Sequence, residues 1–131
     1  MRIICDTNAL LFDALQPDRL TDKARQALDD GEQDRSLACS DISLWEIAML
    51  IARQRIIVDA EPRVFLEAIL AARHIQVLPI SPRIAALSQS GLFPHGDPAD
   101  RIIAATAMHY HAPLITSDGK LRQLEQFATI W

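Results

Sequence analysis

Asp6, Glu46, Asp100 and Asp118 each stand where an apolar run gives way to a helix start, in the passages Asp6-Thr7-Asn8, Ser43-Leu44-Trp45-Glu46, Asp97-Pro98-Ala99-Asp100 and Thr116-Ser117-Asp118. If a fold brings these passages together, they form an acidic pocket. Two unit charges about 4 Å apart repel by roughly 4 kcal/mol at an effective dielectric of 20. Such a cluster needs either raised pKa values or a bound cation. A hard, oxygen-preferring divalent ion such as Mg²⁺ or Mn²⁺ answers that need.

Each acid also has a purely structural reading. Ser43-x-x-Glu46 fits a capping box, in which Ser43 caps a helix and Glu46 returns a bond to the cap backbone. Asp97 before Pro98 is a natural N-cap, and Asp100 then falls in a first turn, where the helix dipole favours negative charge. Asp6 and Asp118 suit the same role. Caps are needed at every helix start, but nothing requires them to meet at one edge of one sheet. Among the other candidates, His74, His109 and His111 read as surface or loop residues, and His95 is distinguished by lying two residues before Asp97. Trp45 and Met49-Leu50-Ile51 read as core or partner-facing.

The elements that must position these residues alternate. Strands are expected at 2–5, 36–39, 75–78, 113–116 and 127–131, and helices at 7–15, 20–28, 42–52, 62–72, 82–90, 99–109 and 118–124. Gly31 is expected to stop the second helix, and Pro17 the first. The 42–52 helix is apolar on almost every side, so it is either deeply buried or covered by a partner. Short apolar strands alternating with helices predict an α/β fold, a three-layer α/β/α sandwich around a central, mainly parallel sheet. Ligands of such a sheet bind beyond the C-terminal strand ends. Asp6 and Asp118 both follow strands and so share that rim, with Glu46 and Asp100 leaning over it from first turns of helices.

With 131 residues the chain is one domain, 1–131. Half of it is hydrophobic and few residues are aromatic, which predicts an aliphatic core. Cys5 and Cys39 read as small core residues. No apolar run reaches the roughly 20 residues of a membrane span, so a cytoplasmic chain is expected. The net charge of −4 ordinarily argues against a nucleic-acid partner, yet acids gathered around a cation leave the remaining surface closer to neutral.

In order and spacing, Ile3-Ile4-Cys5-Asp6-Thr7-Asn8, the stretch from Ser40 to Ala48, His95-Gly96-Asp97-Pro98-Ala99-Asp100-Arg101 continuing to Ala107, and Leu114 to Asp118 resemble a PIN-domain ribonuclease, and more narrowly a VapC-type toxin of a bacterial type II toxin–antitoxin pair. The resemblance covers essentially the whole chain. It implies metal-binding, catalytic acids at Asp6, Glu46, Asp100 and Asp118, with Asp97 either capping its helix or binding through water. Asn8 and Ser43 match supporting polar positions, and Arg101 is a candidate phosphate contact or an ion-pair partner of Asp100. It further implies Mg²⁺-dependent cleavage of single-stranded RNA, a homodimer, and inhibition by a VapB-like antitoxin lying across the acidic groove. Two rivals stand beside it. One is a PIN-like binding module whose acids merely cap helices. The other is a phosphatase with Asp6 as nucleophile, which the pattern disfavours: the second aspartate of such enzymes is Asn8 here, and the only lysines are Lys23 and Lys120.

Overall fold

The computed structural model describes residues 1–93 and 96–131; His95 lies outside the described residues. Among them, five short strands make one parallel sheet: β1 (Ile3–Cys5), β2 (Leu37–Ser40), β3 (Gln76–Leu78), β4 (Leu114–Ile115) and β5 (Thr129–Ile130), in the order β3-β2-β1-β4-β5. Their side chains alternate between two cores, as the two-residue period of a strand demands. Ile4, Ala38, Leu78 and Leu114 face one layer, while Cys5, Leu37, Cys39 and Ile115 face the other.

The second face is covered by α1 (Thr7–Leu15), α2 (Asp22–Asp34), α3 (Asp41–Ala52) and α4 (Pro62–Ala72), which contribute Leu10, Leu28, Ile47 and Ile69. The first face is covered by α5 (Pro82–Ser88), α6 (Pro98–Tyr110) and the single turn α7 (Gly119–Arg122), through Ile84, Ile103, Ala104 and Leu121. Helices on both faces explain why the strands carry no polar face: all four residues of β2 are buried. The expected three-layer α/β/α arrangement is the one observed. Cys5 and Cys39 are buried and unbonded, as small core residues are.

Two local expectations are overturned. Gly31 does not end α2, which continues to Asp34 and closes on Arg35 in the left-handed region, φ 55°. The glycine is there for space: a Cβ at position 31 would stand 2.4 Å from Leu37 Cδ2, so the helix lies directly on β2. The capping box at Ser43 is also absent. Ser40, the last residue of β2, caps α3 by accepting from the Ile42 N–H at 3.2 Å, which leaves Ser43 inside the first turn and Glu46 in the second.

The strand order reverses at β1. The chain builds outward through β2 and β3 on one side and later through β4 and β5 on the other, so a crevice opens at the C-terminal ends of β1 and β4. Asp6 and Asp118 leave the sheet at that point.

Candidate metal centre

Asp6 follows β1 without a spacer. Its N–H donates to the Ile115 carbonyl at 3.1 Å, extending the β1–β4 ladder, while its carboxylate Oδ1 accepts from the Ala9 N–H at 2.7 Å and caps α1. Across the crevice, Asp118 Oδ1 accepts from the N–H groups of Lys120 (2.8 Å) and Leu121 (3.1 Å) and caps α7; its own N–H donates to Thr116 Oγ1 at 3.0 Å. Asp97 Oδ1 accepts from the Ala99 N–H at 2.7 Å and caps α6, with Pro98 at the first helical position. Asp100 lies in the first turn of the same helix.

The structural reading is therefore right for Asp6, Asp97 and Asp118: all are caps. It is also incomplete, because in each the cap bonds fall on Oδ1 and do not use Oδ2. These acids, with Glu46 from α3 and Asp100, line one cavity of about 130 Å³ together with Thr7 and Asn8. The expected four carboxylates and the ambiguous fifth meet there. Thr7 is not singled out in the sequence, yet its hydroxyl shares a hydrogen bond with Ser43 Oγ at 3.0 Å, a buried bond that ties α1 to α3. The signal was present in the Asp-Thr-Asn triplet, where a small hydroxyl follows the first acid.

Crowding shows in the acid–base properties. Burial raises the Asp6 carboxyl to about 6, against hydrogen bonding from Thr116 and Ala9, and the charges of Asp118 and Glu46 raise it further. Asp100 is raised to about 7, first by burial and then by Asp118, Asp97, Glu46 and Asp6. Glu46 is raised by burial and by Asp97, with the Thr7 hydroxyl opposing. Among the described residues no Lys, Arg or His forms an ion pair with any of these acids.

Arg101 does not supply that charge. Its Nε donates to the Ser88 carbonyl at 2.8 Å, Nη1 to the Phe93 carbonyl and Nη2 to the Ser90 carbonyl at 3.4 Å. It fastens the end of α5 and the following loop to α6, and among the described residues it forms no ion pair with Asp100.

The donor set consists of oxygens from carboxylates, an amide and a hydroxyl, the kind that hard divalent cations prefer. Among the described residues no three His, Cys, Asp or Glu side chains are grouped closely enough to hold one metal ion together. A wide acidic cavity fits Mg²⁺ all the same, since that ion keeps several waters and is usually held by one or two carboxylates.

The family model described as "PIN domain" matches residues 3–126. The chain belongs to the PIN-domain family. This PIN domain is of the VapC type: over 122 residues, covering 92% of this chain and 89% of the relative, it is 33% identical to "Ribonuclease VapC22" of Mycobacterium tuberculosis (strain ATCC 25618 / H37Rv). Solved structures share its fold at lower identity. VapBC2 from Rickettsia felis, crystallised with a DNA fragment from its promoter, matches with a TM-score of 0.74 at 16% identity, over 98% of this chain and 97% of that one. FitAcB from Neisseria gonorrhoeae matches with a TM-score of 0.67 at 23% identity, over 97% and 95%.

Proposed function

We propose that this PIN domain is a divalent-metal-dependent endoribonuclease that cuts single-stranded RNA and serves as the toxin of a toxin–antitoxin pair. The observation that carries the reading is the convergence of Asp6, Glu46, Asp100 and Asp118, without a protein cation, at the crevice where the strand order reverses. The ribonuclease name of the relative agrees with it.

Asp6 and Asp118 would hold the ion from the strand ends, and Glu46 and Asp100 from the helices above. When bound, Mg²⁺ or Mn²⁺ supplies a lowered pKa to water and positive charge where a phosphodiester develops negative charge. The residues of the chain do the rest by position. The caps on α1, α6 and α7 fix the backbone that bears Asp6, Asp97 and Asp118, and the Thr7–Ser43 bond holds α3 in register so that Glu46 reaches the cavity. No side chain is required as a nucleophile.

The partners we assign are RNA, a small VapB-like antitoxin and a second copy of the chain. Trp45 on α3 is 59% exposed and Val64 on α4 is 46% exposed, so the apolar 42–52 helix is covered only in part by its own domain, and its open face suits a protein partner. Among the described residues no helix is long and apolar enough to cross a membrane. The cytoplasmic site of action we infer follows from the RNA substrate.

The capping role of Asp6, Asp97 and Asp118 keeps one rival alive, a PIN-like module that binds without cutting. Purified wild type beside Asp6→Asn, on structured and single-stranded RNAs with Mg²⁺ or chelator, separates the two. The nuclease reading expects Mg²⁺-dependent cuts in single-stranded regions that the variant and the chelator both abolish. Cleavage by neither protein, or equal cleavage by both, would overturn it.

A further inference from the structure

We propose that a second cavity beside the acids is a nucleobase pocket, which takes the base of a nucleotide whose phosphate lies over the carboxylates. The inference rests on the ribonuclease reading and deepens it. This cavity, about 220 Å³, shares Asp100 and Asp118 with the acidic one. Phe93, Ala104, Leu121 and Leu124 give it apolar walls, and Arg101, Lys120 and Gln123 line it as well, the Arg101 guanidinium being bonded to the Ser88, Ser90 and Phe93 carbonyls.

Each feature answers one part of a nucleotide. Apolar walls accept the face of a planar heterocycle, a contact open to every base because every base has a π-face. The Gln123 amide carries donors and an acceptor together, as hydrogen bonding to a base edge requires. Lys120 is exposed and, among the described residues, forms no ion pair, so its ammonium can meet a phosphate. The volume lies below the roughly 300 Å³ at which pockets for drug-sized ligands begin, room for one ring system. A base paired in a duplex cannot enter such a pocket, whereas one in a single strand can be splayed into it.

The walls are also held firmly. Arg101 fastens the Phe93 and Ser90 carbonyls to α6, and Asp118 accepts from the N–H groups of Lys120 and Leu121. Asp118 thereby links the two cavities, since it lines both while fixing the turn that borders the second.

The test follows backbone amide resonances of the full chain during titration with the four nucleoside 5′-monophosphates and, as a base-free control, ribose 5-phosphate. The expected result is movement of the Lys120, Gln123 and Leu124 amides, with at least one nucleotide binding about 5- to 150-fold more tightly than the control, the range for one stacked base. Leu124→Ala and Gln123→Ala should reduce nucleotide affinity toward the control while resonances distant from the substituted residues stay in place. Equal binding of nucleotide and control, movement confined to amides that line neither cavity, or no movement at all would overturn the pocket. RNA cleavage by the same samples in Mg²⁺ keeps the two readings apart. Cleavage without nucleotide discrimination removes the pocket alone, and nucleotide binding at α7 without cleavage removes the nuclease reading alone.

Discussion

Two groups of acids drawn from distant parts of the chain lie in this small domain, and they are balanced in opposite ways. Around α4, Arg73 gathers Asp13, Asp29 and Glu32: its Nε and Nη2 meet both oxygens of Asp13 at 2.7 and 2.8 Å, and Nη1 meets Asp29 at 2.9 Å and Glu32 at 3.1 Å. At the sheet crevice, Asp6, Glu46, Asp97, Asp100 and Asp118 gather with no Arg or Lys among them. The guanidinium fork gives the first group its own fixed cation, and bonding to Asp13 and Asp29 raises the Arg73 pKa. The second group has only protons to relieve it. Acids gathered around the protein's own cation are neutralised within the fold; acids gathered around none need protons or a cation from outside.

The largest test of this contrast is isosteric removal of charge at the crevice. Asn caps a helix about as well as Asp, so Asp6→Asn and Asp100→Asn should keep or slightly raise the melting temperature without metal, because a repulsion disappears. RNA cleavage should fall by at least about 100-fold, since even partners that merely orient metal ligands cost about 10- to 100-fold when lost. A variant that melts like the wild type and cuts like it would erase the distinction between the two groups.

The converse change belongs to the other cluster. Arg73→Met keeps much of the apolar stem but leaves Asp13 and its neighbours without their cation. Both Arg73 and Asp13 are largely buried, with side chains 17% and 19% exposed. Denaturant unfolding should show a loss of about 3 kcal/mol, with Mg²⁺-dependent cleavage retained at temperatures well below the melt. Loss of cleavage in a folded Arg73→Met protein would show that the two clusters are not separate in function.

Stability against pH sharpens the contrast further. Asp6 is raised from 3.8 to about 6 and Asp100 from 3.8 to about 7. Between the ordinary and raised values the folded chain holds protons that the unfolded chain has released, so without metal stability falls as pH climbs from about 4 to 7. For the buried Asp6 alone the fall is on the order of 3 kcal/mol. Thermal melts at pH 4.5 and 7.5 should show it, and Mg²⁺ should restore stability at pH 7.5 but not at 4.5, because ligands that bind only the folded state shift the equilibrium toward it. A metal-free melting temperature that rises across this window would contradict the crowding.

Much of this was legible along the chain where the deciding physics is local. The α1 limits, Thr7 to Leu15, follow from an acid at the cap and a proline beyond; Pro62 and Pro98 mark the starts of α4 and α6 as they mark them in the sequence. What was hidden depends on distant partners. Gly31 reads as a stop until Leu37 is seen against it, and Ser43-x-x-Glu46 reads as a capping box until β2, paired as far as Ser40 with Leu78, turns straight into α3. The Thr7–Ser43 bond spans 36 residues, and Arg101 finds its carbonyl partners on α5 and its loop rather than on the acid beside it. At the site, the acids were visible as helix starts. Their convergence depends on a strand order that reverses at β1, which no local pattern states.

Asp97 yields the smallest and most discriminating effect, because it belongs to the crevice by position and to the helix by bonding. It is exposed, it lines the acidic cavity, and its Oδ1 caps α6. Asp97→Asn preserves that cap and removes one charge from the neighbourhood of Glu46 and Asp100. If its part is to support the ion through water, cleavage should fall less than about tenfold, with half-maximal activity moved to higher Mg²⁺ and the melting temperature unchanged. A loss as deep as that of Asp100→Asn would make Asp97 a direct ligand. An unchanged Mg²⁺ dependence would place it with the Arg73 cluster's acids, as a residue of the fold alone.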